Sequence, residues 1–371
     1  MKNRNANAVF CGEMLLSLLL IALTVGVLIP SGTAMGERLN GLPAQAPVTE
    51  IKSVNIVKTE NKTTTLSNAP GTPVLKEPET TAAVSAKETE LSDLKKMQEE
   101  YAAAFAGQTP IGTVSTECFV TQGATDVLGN VAIKNATAAK KPDFAALLNA
   151  GAPLEKAELS APTVLVFHTH TTESYLQVDD GVFHKGYETR SEDPARNMVR
   201  VGDELCRVLE ENGIGVLHDT NIYDKSYNGA YARSRVTVLD YLAKYPTIQV
   251  VLDVHRDAIY YSDTSHCKPT AVINGEKAAQ VMIITGAEEG QITDFPHWEE
   301  NLRFALALQK EAQERFEGLM RPVYFCQRKY NMDTAKCSLL LEIGSDANTL
   351  EEACRSAHMI GEALTALLKG T

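Results

Sequence analysis

Hydrophobic and polar positions change rhythm several times along the chain. The first apolar run starts at Met14 ("MLLSLLLIALTVGVLIP") and meets no charge until Glu37, with Lys2 and Arg4 ahead of it. Its length falls between the core of a cleaved export signal and a helix able to span a ~30 Å hydrocarbon layer. Residues 1–35 are expected to form a retained membrane anchor, although "SGTAM" offers small residues where a peptidase could cut. The positive end should stay in the cytosol, so everything after residue 35 is expected outside it. Residues 36–87 are rich in Thr, Pro, Ala, Lys and Glu. They hold too little apolar surface to offset the entropy of ordering, and they read as a flexible tether.

Residues 88–160 predict a small subdomain. A short helix over "ELSDLKKMQEEYAAAFAG" ends at Gly107, "ECFVTQGATDVLGNVAIKNAT" alternates as a hairpin, and "PDFAALLNAG" reads as a second short helix. From Pro162 the pattern becomes short β-branched runs separated by amphipathic stretches, and residues 161–371 are expected to form the main domain. Strands are predicted at "TVLVFH", "IGVLHD", "IQVVLDVH", "QVMIITG", "PVYFCQ" and "CSLLLEIG". Helices are predicted at "NMVRVGDELCRVLEENG", where Met198, Val201, Leu205 and Val208 share one face, at "YARSRVTVLDYLAKYP", at about 297–317, and at the C-terminal "TLEEACRSAHMIGEALTALLKG". This alternation predicts an α/β layer structure with a largely parallel sheet flanked by helices.

Composition narrows the function. The chain has 371 residues, of which 44% are hydrophobic, and a formal net charge of -12. That balance, with no basic block, speaks against nucleic acid as a partner, since phosphate binding depends on Lys and Arg. The seven cysteines are scattered and include no C-x-x-C pair, so neither a disulfide scaffold nor a structural zinc is indicated. They read as free or buried small hydrophobes.

In open parallel sheets, ligands bind beyond the carboxyl ends of the strands. Three predicted strands end in chemistry: His168 and His170 after "TVLVF", His255 after "QVVLDV", and Glu342 in "CSLLLE". Imidazoles and a carboxylate converging on one sheet edge form the donor set of a catalytic zinc. A single histidine at a strand end is more commonly just a solvated polar residue. What raises the metal reading is the joint position of these groups at three strand ends. No G-x-S-x-G elbow and no H-E-x-x-H helix is present, which removes serine-hydrolase and gluzincin architectures.

The segments "VLVFHTHTTESY", "NMVRVGDEL", "GIGVLHDT", "YNGAYARS", "VVLDVHRDAI" and "LLLEIGSDANTLEEA" together resemble the stage II sporulation protein P family of spore-forming bacteria, over roughly residues 110–371. That family is similar in its core to zinc-dependent N-acetylmuramoyl-L-alanine amidases, with their phosphorylase/hydrolase-like fold. The resemblance implies His170 and His255 as zinc ligands and Glu342 as the catalytic carboxylate. His168 is left to support the site from behind. For the third ligand the amidase offset selects Asp193, with Glu192 and Glu173 as alternatives. Asp193 and Glu192 also suit the first turn of a helix after Pro194. Arg256 is a candidate for holding a substrate carboxylate or an oxyanion, or for pairing with Asp253 or Asp257.

The implied function is cleavage of the N-acetylmuramoyl-L-alanine amide, and of peptide cross-links, during forespore engulfment. The implied partners are peptidoglycan, stage II sporulation protein D (a lytic transglycosylase) and stage II sporulation protein M (a membrane scaffold). A non-catalytic peptidoglycan-binding scaffold of the same complex is the alternative.

Overall fold

The computed structural model describes residues 81–370. The predicted anchor, and the predicted tether as far as residue 80, lie outside the described residues. The first helix, α1, runs Thr81–Phe105, so it starts earlier than the pattern predicts, inside the expected tether. "TAAVSAKETE" holds Ala, Glu and Lys with no Gly or Pro, so nothing in it stops helix propagation. Among the described residues, no helix is long and apolar enough to cross a membrane.

The next elements are β1 (Gly112–Glu117), β2 (Asp126–Leu128), β3 (Val131–Asn135), α2 (Phe144–Ala150), β4 (Pro162–Phe167) and β5 (Val182–Phe183). After them come α3 (Met198–Glu211), β6 (Gly215–His218), α4 (Ala230–Lys244), β7 (Val250–Asp257), β8 (Tyr260–Ser262), β9 (Ser265–Ile273) and β10 (Glu276–Ala279). The chain finishes with β11 (Val281–Gly286), α5 (Trp298–Arg315), β12 (Val323–Cys326), β13 (Ser338–Ser345) and α6 (Leu350–Lys369).

Eight strands form the central sheet in the order β2-β3-β12-β11-β13-β7-β4-β6. Five of its seven neighbouring pairs are parallel, and only β2–β3 and β11–β13 are antiparallel. The central strand β7 is buried along almost its whole length, as expected of a strand covered on both faces.

Alternation along the strands divides the two faces. Val164, Val166, Leu252, Val254, Leu339 and Leu341 join the core with α3, α5 and α6. Leu165, Phe167 and Val251 pack with Val238 of α4 on the other face. On period-2 alternation, His255 and Glu342 therefore belong to the α4 face and His168 to the α3 face.

Caps fix the helices that carry these faces. Asn197 opens α3 by accepting from Val199 N. Thr349 and Glu352 form a capping box on α6, which closes two orphan donors at once.

The expected separate subdomain at 88–160 is not what forms. The hairpin β2–β3 becomes the edge of the central sheet by parallel pairing of β3 with β12, because Val131, Ala132 and Ile133 are all buried. Strand β1 leaves for a second sheet of order β10-β9-β1-β5, with β8 paired to β9. This sheet is absent from the predicted elements. Its β9–β10 hairpin turns at Asn274 and Gly275, both at positive φ. All six cysteines of the described residues are free thiols, four of them buried.

Candidate metal centre

Beyond Phe167 the chain leaves β4 and doubles back on itself. His168 Nδ1 donates to Val254 O across the β4–β7 pair at 2.9 Å. The Thr171 hydroxyl lies 2.8 Å from His168 O and 2.7 Å from Asn221 O. Glu173 N donates to His170 O at 3.0 Å. That tight turn sets His170 and Glu173 side by side, with Nδ1 and Oε1 3.4 Å apart.

From β7, His255 offers its Nδ1 to the other oxygen, Oε2, also at 3.4 Å. The two imidazoles stand at 82° with centroids 5.0 Å apart. One donor atom from each of His170, Glu173 and His255 lies within 4.8 Å of the others, and all three residues are buried.

Support for His255 comes from behind. Its Nε2 lies 2.7 Å from Asp253 Oδ1, an ionic contact whose angle falls short of a hydrogen bond. Asp253 is itself held by the Thr169 amide at 2.8 Å and the Thr169 hydroxyl at 2.7 Å. Thr169 leans on Ser234, and Ser234 on Asn331. Burial pulls the His255 pKa down, but Asp253 and Glu173 outweigh it and hold the imidazole well above its ordinary range. Burial likewise works to raise Glu173, yet Arg256 and the two imidazoles keep its carboxyl well below the usual value.

Glu342 is the register partner of His255 on the neighbouring parallel strand. Its Oε2 is buried with no hydrogen-bond partner. Burial, with Asp257 and Glu173 adding to it and His255 opposing, pushes its pKa up to about 8. A carboxyl in that condition can hold or release a proton near neutrality.

The other expected site residues lie elsewhere. Asp193 stands at the surface, accepting from Ala195 N at 3.0 Å and pairing with Arg196 at 3.4 Å. It shapes the turn before α3, whose start is taken by Asn197, so its carboxylate is turned to solvent. Glu192 pairs with Lys225 at 3.4 Å, also at the surface. Of the three acids weighed for the third position, the structure brings only Glu173 to the imidazoles.

Arg256 is buried, and no ion pair joins its guanidinium to the carboxylate of Asp253 or Asp257. It donates to the carbonyls of Ser174 at 3.2 Å and Thr189 at 2.8 Å, which ties the histidine turn to the 189–191 segment. The half-exposed cation at the centre is instead Arg190, 3.6 Å from Glu173 Oε1 and 2.5 Å from Asp224 Oδ2. Tyr227 stacks on His170 at 4.8 Å with Arg190 over its ring. Tyr231 lies nearly parallel to the His255 ring. No local sequence signal marks Arg190, because its partners come from distant segments.

His168 has both nitrogens engaged. A carbonyl only accepts, so Nδ1 carries the proton, and Nε2 lies 2.9 Å from His218 Nε2. Two imidazole nitrogens and a carboxylate oxygen brought together on three buried residues form a set that fits zinc, which takes such donors and leaves a position open.

A family model described as stage II sporulation protein P matches residues 42–365. The stage II sporulation protein P of Bacillus subtilis (strain 168) is 33% identical over 207 residues, which is 53% of this chain and 48% of that protein. The chain therefore aligns with about half the length of this curated relative. Among solved structures, the CwlD amidase from Clostridioides difficile in complex with the GerS lipoprotein is 12% identical, with a TM-score of 0.35 over 56% of this chain and 97% of that one. The N-acetylmuramoyl-L-alanine amidase AmiC2 of Nostoc punctiforme is 8% identical, with a TM-score of 0.33 over 56% and 96% of the two chains. Likeness at this level leaves the fold to rest on the chain's own sheet order.

Proposed function

The chain belongs to the stage II sporulation protein P family, and from that membership we propose that it is a zinc-dependent peptidoglycan hydrolase. It cuts the amide between the N-acetylmuramoyl lactyl group and the L-alanine of the stem peptide, and cross-linking peptide amides at the same site. The observation that carries the reading is the convergence of His170, Glu173 and His255 beside the half-buried Glu342, whose Oε2 is buried without a hydrogen-bond partner.

His170, Glu173 and His255 would hold the zinc, which would supply Lewis acidity able to bring the pKa of water to about 7 and to polarise a carbonyl. Glu342 takes the proton from the attacking water and passes it to the departing nitrogen, since an unprotonated amine is a poor leaving group. Asp253 orients the His255 ring through Nε2, as carboxylates do behind metal-binding histidines. Tyr227 and Tyr231 wall the centre, and Arg190 restrains Glu173 from its outer side.

The same proposal includes an extracytoplasmic position behind a single membrane anchor, with stage II sporulation proteins D and M as partners in engulfment. Its support is the uncharged apolar run from Met14 together with the family membership.

The test uses the full-length chain in detergent on purified sacculi, reading the release of new amino groups. Zinc-loaded protein should release them, and both EDTA and His255→Ala should stop the release. Activity that survives both treatments removes the metal reading. No release from metal-replete protein leaves the scaffold alternative.

A further inference from the structure

A cavity of about 260 Å³ opens just past the carboxyl ends of β7 and β13, against the second sheet. Its walls include Phe183, His266 and Tyr260. The His266 ring stacks on Phe183 at 4.0 Å and meets Tyr260 at 4.2 Å.

Asp346 also lines the cavity and is 1% exposed. Its Oδ2 accepts from the Tyr260 hydroxyl at 2.6 Å, whereas Oδ1 is buried with no partner. Three basic groups stand near it: Arg256 and His266 favour its charged form against the effect of burial, and Lys185 lines the same cavity, but none of them donates a hydrogen bond to Oδ1. Arg256 directs its N–H groups at the carbonyls of Ser174, Thr189 and Asp257. His266 Nδ1 stays 4.0 Å from Oδ2.

A buried carboxylate oxygen without a donor is costly, so the group calls for an N–H partner. Aromatic faces around it favour a cation on an alkyl stem. Depth and lining therefore suit an alkylammonium better than a neutral or anionic group.

Position adds a second constraint. Ser345, the neighbour of Asp346, pairs with Asp257, two residues beyond His255. At about 3.3 Å per residue this lies roughly 7 Å along the strand from the metal centre. An extended peptide advances about 3.3–3.6 Å per residue, so a side chain two or three positions from a bond held at the centre reaches the cavity.

We propose that this cavity is a subsite for the side-chain ammonium of a diamino residue in the stem peptide, with Asp346 as its counter-charge and Tyr260 and His266 as aromatic walls. The inference rests on the stem-peptide amidase reading and adds a determinant of substrate choice to it.

The test compares a muramyl tripeptide ending in lysine with its Nε-acetyl derivative. Binding to the full-length chain carrying Glu342→Gln, which suppresses cleavage, is followed by calorimetry. The free amine should bind about tenfold tighter than the acetylated one, the scale of one charge-assisted hydrogen bond. Asp346→Asn should erase that difference. Tyr260→Ala, at a position 49% exposed and so tolerant of change, should reduce it. Equal affinity for the two peptides overturns the subsite and leaves the amidase reading standing. Failure of both peptides to bind, with neither cut by the unmodified chain, overturns the amidase reading and the subsite with it.

Discussion

His168 Nε2 and His218 Nε2 stand 2.9 Å apart, one ring from the end of β4 and the other from the end of β6. The contact passes directly over Gly202 of α3. A Cβ there would come within 2.5 Å of His218 Nε2 and 2.6 Å of His168 Nε2. Gly202→Ala is therefore expected to destabilise the fold by about 1–3 kcal/mol, the usual range for overpacking. Urea unfolding measures it, and a variant as stable as the parent would show that the imidazole pair yields freely.

Glu173 and Asp193 give opposite expectations for metal. Glu173→Ala should lower zinc affinity by more than about 100-fold, beyond the range seen when only an outer-shell partner is lost. Asp193→Ala should keep full zinc and cost no more than about 1 kcal/mol, because its ion pair with Arg196 is exposed. Zinc content by elemental analysis, alongside unfolding curves, separates the two. Loss of zinc from the Asp193 variant would reverse the assignment.

Lys268 is buried between Glu352 at 2.9 Å and Asp179 at 2.7 Å. Lys268→Met would leave Glu352, the capping acid of α6, buried without its counter-charge. A loss of about 3 kcal/mol is expected, since removing one partner of a buried pair exposes the cost of the other. A change below 1 kcal/mol in denaturant unfolding would mean that Asn348 and the cap suffice for Glu352.

His358 on α6 faces Glu204 on α3 at 3.0 Å. Its hydrogen bond to the Glu204 carboxylate raises its pKa above 6.5, with burial opposing. A group whose folded pKa is raised stabilises fully below its unfolded value of about 6.5, and that contribution fades as pH climbs through the folded value. The His358 resonance should titrate above pH 6.5, and Glu204→Gln should move it down. An unchanged midpoint in the variant would show that Glu204 is not the cause.

Much of this architecture is written in local pattern. Runs such as "TVLVF" and "VVLDV" are short, apolar and rich in β-branched residues, which points to interior strands, and the structure pairs them in parallel. The buried stripe Met198, Val201, Leu205 and Val208 matches the period of α3. The strand ends that deliver His170, His255 and Glu342 follow from the same runs.

The second sheet had a signal in Asn274-Gly275, a pair suited to the positive φ of a tight hairpin, set after "TAVI". The choice of Glu173 was half legible. A glutamate three residues after His170 meets it only if the chain turns, and the Glu173 N to His170 O bond is that turn. The offset carried over from the amidases selects Asp193 instead, and the structure leaves that carboxylate at the surface, paired with Arg196. Arg190 had no signal, since Glu173 and Asp224 reach it from 17 and 34 positions away.

The three candidate donors and their backing carboxylate come from two short stretches, 168–173 and 253–255, at the ends of strands that lie side by side with Phe167 opposite Asp253. Zipping β4 onto β7 is therefore the same event as assembling the centre. No later docking of a remote loop is needed to gather the donors, so the centre should gain its geometry as early in folding as the middle of the sheet does.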